Sequence, residues 1–342
     1  MRRIKVVLWR FSGMAVSLLG LSVLVFVISR VLPGNPARMA LGAMASEEQV
    51  DRLAAEMGLD QSLPLQYVDY MTGLVAGDLG RSLQTRNPVL EDIAVKLPAT
   101  LELISLATVF MVAIGIPLGV LAARNRGGRI DDATRVFAFS TVSVPSFFIG
   151  IALQLVFGYY LQLFPITGRI SREHAADVTR ETGFLLVDTL LSGAFAAHLD
   201  AWAHLLLPAL ALSFGGMGQV IRITRSSMID VEGKAFIEAT DGYGLPEWLV
   251  SYKYTLKNAF IPTLTILGLL YAWLLGGAFI IEIVYSWPGI AKYGVQSVLT
   301  SDVNAIVGVT MTIGLAFVLT NLAVDLLLNR IDPRMDLAGD AA

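Results

Sequence analysis

MIDVEGKAFIEATDGYGLPEWLVSYKYTLKNAFIP, residues 228–262, is a polar, charged stretch set between two long apolar runs, 201–221 and 258–281. Its spacing predicts one helix up to about Thr240, a reversal at Asp241-Gly242-Tyr243-Gly244, and a second helix starting at Pro246. Glycine supplies the positive φ that a sharp reversal needs, and proline is well tolerated at a first helical position. In the second helix Leu245, Trp248, Leu249, Tyr252 and Leu256 recur at three- and four-residue steps and make one apolar stripe. The far face carries Glu247, Lys253 and Lys257. A hairpin of this kind can lie against a membrane bundle and present its polar tip to a soluble partner.

Working outward, the composition supports a membrane setting. Hydrophobic residues make up 55% of the 342, charged residues 15%, and the mean hydropathy is +0.66, outside the soluble range. The net charge of −3 offers no argument for nucleic acid binding, and the absence of cysteine excludes disulfides and Cys-ligated metals. Six runs are long enough to span a bilayer, roughly 11–31, 103–123, 136–161, 203–221, 260–281 and 303–324. The expected fold is therefore an all-α polytopic membrane protein with six transmembrane helices. Arg30, at the end of the first run, can snorkel to the interface. Pro117, Pro145, Pro208 and Pro262 are tolerable in or beside spans because neighbouring helices can satisfy the freed carbonyls.

Arg2, Arg3 and Lys5 before the first apolar run imitate a secretory leader. That run exceeds a leader's apolar region, and the nearest Ala-x-Ala match, Ala43-Met44-Ala45, lies well beyond it, so it is expected to be a retained helix. Basic residues crowd into four segments: the N-terminal arm with Arg10; the 124–135 loop with Arg124, Arg126, Arg129 and Arg135; residues 222–258 with Arg222, Arg225, Lys234, Lys253 and Lys257; and the tail with Arg330 and Arg334. With six spans these fall on one side, which the positive-inside rule makes cytoplasmic.

The expected organisation is a cytoplasmic arm and first helix over 1–31, an extracytoplasmic helical segment over 32–98, a five-helix core over 99–330 containing the loop 223–258, and a cytoplasmic tail over 331–342. Within 32–98, Ser46-Glu47-Glu48-Gln49 predicts a capping box opening a helix that ends before Gly58. Pro64 starts another, with Leu65, Val68, Met71 and Val75 on one face. In 162–202, Glu173, Asp177, Glu181, Asp188 and Asp200 outnumber the bases. They make either a solvated face or a docking surface for a secreted substrate-binding protein.

Several stretches resemble one family. Glu238-Ala239-Thr240, with Gly244 four residues beyond, resembles the "EAA" loop of ABC-importer permeases. Arg225-Ser226-Ser227-Met228 before it and Leu256-Lys257-Asn258-Ala259-Phe260-Ile261-Pro262 after it resemble the dipeptide, oligopeptide and nickel branch, and its B-type subunit in particular. The same holds for Leu32-Pro33-Gly34-Asn35-Pro36, Leu59-Asp60-Gln61-Ser62-Leu63-Pro64, Gly77-Asp78-Leu79-Gly80-Arg81-Ser82 and Leu97-Pro98-Ala99-Thr100-Leu101-Glu102-Leu103. Glu282 and the turn Ser286-Trp287-Pro288-Gly289-Ile290 complete the likeness, which extends from about 31 to 330. Asp241, Gly242 and Tyr243 depart from the basic or small residues usual in that branch.

The resemblance implies a type I importer core whose loop residues Glu238, Ala239, Thr240, Asp241, Gly244 and Leu245 dock on a cytoplasmic ATPase. It implies a second homologous permease, two ATPase subunits that carry ATP and magnesium, an extracytoplasmic binding protein and a lipid bilayer. Di- or oligopeptides are the implied cargo, with nickel chelates, glutathione or oligosaccharides as alternatives.

The chain itself has no G-x-x-x-x-G-K-[ST] phosphate loop, no H-E-x-x-H and no G-x-S-x-G. His174, His198 and His204 are not spaced for a metal and are expected to be solvated or interfacial. Glu282 and Asp325 lie near predicted helix ends, where carboxylates reach water more readily than they serve a proton relay. A transport subunit without its own catalysis is thus favoured over an ion-coupled carrier, which predicts interrupted helices with midplane charges and an internal repeat. It is also favoured over an intramembrane enzyme, which needs a nucleophile or metal set inside the spans.

Overall fold

The computed structural model describes residues 2–31, 36–41, 44–56 and 58–331, all of the regular elements among them helical. In chain order these are α1 (Arg2–Val31), α2 (Pro36–Leu41), α3 (Glu47–Glu56), α4 (Leu63–Ala76), α5 (Val89–Arg124), α6 (Arg129–Ser143), α7 (Ser146–Tyr160), α8 (Arg172–Ala175) and α9 (Leu185–Leu191). After them come α10 (Phe195–Glu232), α11 (Ala235–Gly242), α12 (Glu247–Gly277), α13 (Phe279–Val284), α14 (Ile290–Leu299) and α15 (Val303–Ile331). Leu32-Pro33-Gly34-Asn35, Ala43 and the tail from Asp332, with Arg334, lie outside the described residues, as do the side chains of 2–11 and of Arg30.

Four helices, α5, α10, α12 and α15, are long and apolar enough to cross a membrane, and α6 with α7 makes a fifth if that bent pair is one span. Among the described residues α1, the helix expected as the first span, contributes an apolar stretch over Ser12–Ile28. The second span begins earlier than the expected 103, because the helix runs on from Val89 straight through Pro98. A π-turn at Met111–Gly115 directly precedes Pro117, where a missing N–H would otherwise leave the ladder one donor short.

The run 136–161 is not one straight helix. It bends by 99° between α6 and α7. Pro145 disfavours helical geometry at the residue before it, and Val144 is extended at φ −93 and ψ 123. Ser140 and Ser143 hydroxyls donate to the carbonyls of Val136 and Phe139, both at 2.9 Å, back-bonds of the kind that bend a helix. Pro208 and Pro262, by contrast, sit inside continuous helices.

The described residues pack as two compact units, those up to 97 with 290–318, and 98–289 with 319–331. Residues 290–318 were expected with the later helices and instead pack with the first part of the chain. The core of this first unit is Val89, Ile93, Ile290, Tyr293, Ala305 and Val309. Beside it Asp302, fully buried, accepts from the Ser82 hydroxyl at 2.6 Å and the Leu83 N–H at 2.7 Å, which ties the Gly77–Ser82 motif to the start of α15.

The capping box forms as the sequence predicts: Gln49 N–H donates to Ser46 Oγ at 3.3 Å, and Ser46 N–H donates to Gln49 Oε1 at 3.1 Å. The apolar face foreseen for α4 is turned outward. Leu65, Val68 and Val75 are exposed, and α4 packs on α1 through Tyr67 and Tyr70 against Phe26. Lipid tails are as apolar as leucine, so an apolar stripe in such a chain marks an outward face as readily as a core.

In the second unit α10 is the central helix, packing on the latter part of α5 and on α6, α7 and α12. Small residues allow the close crossings. A Cβ on Gly119 would lie 2.6 Å from Thr224 Cβ, and one on Gly218 would run into the Ala138 carbonyl.

Candidate functional site

The segment singled out in the sequence folds into two short arms around an elbow. α10 stops at Glu232, earlier than the expected helix up to Thr240, and the chain turns at Gly233-Lys234 before restarting as α11. Lys234 N–H donates to Val231 O at 3.0 Å, and Ile237 N–H donates to Lys234 O at 2.8 Å, so the turn is hydrogen-bonded on both sides. Ile237 is the buried anchor of α11, which packs against the turn at 250–255.

Around that anchor Glu238 and Ala239 are exposed and Thr240 is half-buried, its hydroxyl donating to Ile237 O at 2.6 Å. The side chain of Asp241 lies outside the described residues. Tyr243 is 83% exposed. Gly244 follows with φ +70, the left-handed conformation that glycine adopts without a Cβ penalty, and nothing lies within 4 Å of where a Cβ would stand. Leu245 is half-buried beyond it. Pro246 is the cap of α12 (φ −64, ψ 138) rather than its first helical residue.

The buried face of α12's first turns is Val250, Ser251 and Thr255, not the expected stripe. Trp248 and Tyr252 are exposed, and Leu249 and Leu256 half-buried. From Tyr252 onward a π-turn over Val250–Thr255 shifts the register that a 3.6-residue period presumes. The elbow therefore shows Phe236, Glu238, Ala239, Tyr243 and Trp248 to its surroundings, a mixed apolar and acidic tip.

Two ion pairs join this region to the end of α5 and the first turn of α6. Arg225 on α10 grips Asp131 with both arms of its guanidinium, at 2.6 and 2.7 Å. Arg124 at the end of α5 meets Glu247 at 3.0 Å. Sequence reasoning passed over Asp131. The signal that could have found it is its place as an acid in a loop otherwise dense in arginine.

The other candidate, 162–202, is less of a solvated face than its acid count suggests. Asp188 is buried and accepts from the Thr182 N–H at 2.8 Å, the Thr182 hydroxyl at 2.7 Å and the Gly183 N–H at 3.1 Å. Burial alone would raise its carboxyl, but those hydrogen bonds hold it below the usual carboxylate range. Asp200 accepts from the N–H and hydroxyl of Ser171, at 2.6 and 2.9 Å.

Arg169 forms a buried ion pair with Glu102, whose other oxygen accepts the Leu186 N–H at 2.8 Å. The Arg169 guanidinium also lies 5.5 Å from the centre of the Trp287 ring. Exposed apolar groups, Leu191, Phe195 and Leu199, remain on this loop and the start of α10.

In the Ser286–Gly289 turn, Trp287 and Gly289 point inward while Ser286 and Pro288 are exposed. Trp287 is buried and donates to Ala99 O at 2.9 Å, and Tyr285 donates to Gly150 O at 2.9 Å. Glu282, expected to reach water, is fully buried and accepts from Thr100 at 2.5 Å, since the chain folds back over it. Asp325, in the last two turns of α15, is half-buried. His204 is likewise buried against the Asp200 carbonyl, and His198 sits between Thr189 and Trp202 at 2.9 and 3.0 Å. Among the described residues no group of three or more His, Cys, Asp or Glu side chains is placed to hold a metal.

Comparison with known proteins matches residues 115–337 to the family described as binding-protein-dependent transport system inner membrane component. Residues 3–104 match the family described as the N-terminal part of such membrane components. A probable D,D-dipeptide transport system permease protein of Escherichia coli strain K12 is 39% identical over 330 residues, covering 96% of this chain and 97% of its own length. A dipeptide transport system permease protein of Alkalihalophilus pseudofirmus is 37% identical over 318 residues, 93% of this chain and 95% of its own. A glutathione transport system permease protein of Pectobacterium atrosepticum is 32% identical over 324 residues, 95% of this chain and 96% of its own.

Proposed function

This chain belongs to the family of binding-protein-dependent transport system inner membrane components, and on that premise we propose that it is the permease subunit of an ATP-binding-cassette importer for di- or oligopeptides. The observation that carries the reading is the elbow at Gly244. A short helix anchored at Ile237 turns Glu238 and Ala239 outward, and the left-handed glycine sets the angle to α12. Such a tip fits a groove on an ATPase and can act as a lever. The coupling residues are Glu238, Ala239, Thr240, Asp241, Gly244 and Leu245, at the matching positions of the motif.

Because the sequence has no phosphate loop, the energy enters from outside the chain. Two ATPase subunits close on ATP and drive the elbows of this permease and a homologous partner together. The pathway between the two permeases then alternates its access, and a binding protein delivers cargo from outside. The peptide class rests on the two dipeptide permease relatives at 39% and 37% identity. Glutathione is a second reading, favoured by the relative at 32% identity, and is itself a small peptide.

The test is reconstitution. This chain purified alone is expected to hydrolyse no ATP, while the complex with its partner permease and ATPases should hydrolyse ATP faster once peptide-loaded binding protein is added. Robust hydrolysis by the isolated chain, free of contaminating ATPase, would sink this division of labour.

The arginine-rich segments support a cytoplasmic elbow in a prokaryotic inner membrane, with both termini on that same side for a chain of six spans. With no native cysteine, single probes are clean. In sealed right-side-out vesicles an impermeant thiol reagent should label Glu173→Cys and spare Tyr243→Cys, two exposed positions. Labelling of Tyr243→Cys from outside would overturn the orientation.

A further inference from the structure

Two ties join the α5–α6 region to the helices on either side of the elbow, the end of α5 to α12 and the first turn of α6 to α10, and they differ in kind. Glu247 in the Arg124 pair is 90% exposed on its side chain, and ion pairs so open to water contribute little. The Asp131 side chain is 1% exposed, and both its oxygens receive Arg225, Nε on Oδ1 and a terminal nitrogen on Oδ2. Asp131 Oδ2 also accepts the Gly127 N–H at 2.9 Å, which locks the carboxylate to its own turn. A planar fork closed on a buried carboxylate fixes orientation as well as distance.

The neighbouring packing is equally tight. Gly119 of α5 faces Thr224, the residue before Arg225, and Gly218 of α10 faces Ala138 and Thr141 of α6. The 99° bend at Val144-Pro145 ends this packed group on the α6 side.

We propose that the Asp131–Arg225 pair is the positioning link that carries movement of the elbow into the α5–α6 turn, so that the ends of α5, α6 and α10 nearest the elbow shift as one body during transport. This rests on reading the segment around Gly244 as the ATPase-coupling elbow. Arg225 lies in the last two turns of α10, just ahead of α11, so a push on α11 reaches it through continuous helix and the short Gly233-Lys234 turn. Neither residue touches cargo or nucleotide in this account; the pair acts through the helices it joins.

The experiment uses the whole importer in liposomes and measures peptide uptake per ATP hydrolysed. Asp131→Asn keeps an oxygen for the Gly127 N–H and removes the charge that Arg225 grips. It is expected to lower uptake per ATP about tenfold, the scale of losing one charge-assisted hydrogen bond. Arg225→Lys, which keeps the charge but not the fork, should fall between that variant and wild type. The double variant Asp131→Asn with Arg225→Gln should be no worse than Arg225→Gln alone, because the two groups act as a unit.

Arg124→Gln is the control, expected within about twofold of wild type. A pair that only held the fold would reduce the amount of complex recovered and leave uptake per ATP at the wild-type value in what survives. That result, or additive losses in the double variant, overturns the proposal. If Gly244→Val also leaves uptake per ATP intact, the coupling elbow itself is wrong. If Gly244→Val uncouples while Asp131→Asn and Arg225→Lys do not, only the link fails.

Discussion

Gly244→Val is expected to reach the membrane in normal amount, bind its partner permease, and lose transport while uncoupling ATP hydrolysis from the binding protein. The reason is confined to the backbone. With φ at +70 and open space around the missing Cβ, valine meets no clash. It carries only the strain of a left-handed residue, about 1–2 kcal/mol and more when β-branched. Strain of that size at an exposed turn does not unfold a helical bundle. It is relieved by moving φ to negative values, which re-aims α11 and swings Glu238 and Ala239 off their docking angle.

If the whole penalty is felt when the elbow engages, productive coupling falls about 5–30-fold. Gly233→Val is the matched control: it also has open space, but its φ of −77 is ordinary for valine, so it should do far less. Uptake and hydrolysis by the two variants in the same liposomes decide the matter. Near-normal uptake by Gly244→Val would mean that the glycine only fills a loop.

Arg169→Ala should be strongly destabilising. The Arg169 and Glu102 side chains are 11% and 7% exposed, and Glu102 also holds the Leu186 N–H. Removing the cation strands a buried carboxylate, a loss on the order of 3–5 kcal/mol. It also removes the guanidinium beside the Trp287 ring.

The double variant Arg169→Met with Glu102→Gln takes away both charges and should recover most of the stability, because a buried ion pair adds little over a well-packed neutral pair. Thermal unfolding in detergent reads both. A single variant as stable as wild type, or a double variant no better than the single, would show that the pair is not what fastens the loop 162–202 to α5.

The elbow and the internal loops divide what could be read early from what could not. Gly244 and the Ser46–Gln49 box were legible because each rests on a local rule: a φ only glycine adopts freely, and a cap that closes within four residues. The long apolar runs were legible for the same reason, since a helix satisfies its own backbone. The π-turns at 111–115 and 250–255 were not, and the second displaced the predicted stripe on α12 from Tyr252 onward. Nor did the outward face of α4 follow from its leucines and valines, because apolar residues in a membrane chain do not say which side is the core.

The sequence by itself determined an all-helical membrane chain, the place and sense of the elbow at Gly244, and the family through residues spread from about 31 to 330. All of these depend on residues near one another in the chain or on composition. Only the tertiary structure decided the roles of Asp131, Glu282, Asp188 and Trp287. Each is a polar or aromatic group whose meaning depends on a partner far away in sequence or on a loop folded back over it. Read singly, a carboxylate suggests water. Buried and fully hydrogen-bonded it becomes a fastener, because at that depth a charge left alone costs more than the fold can spare.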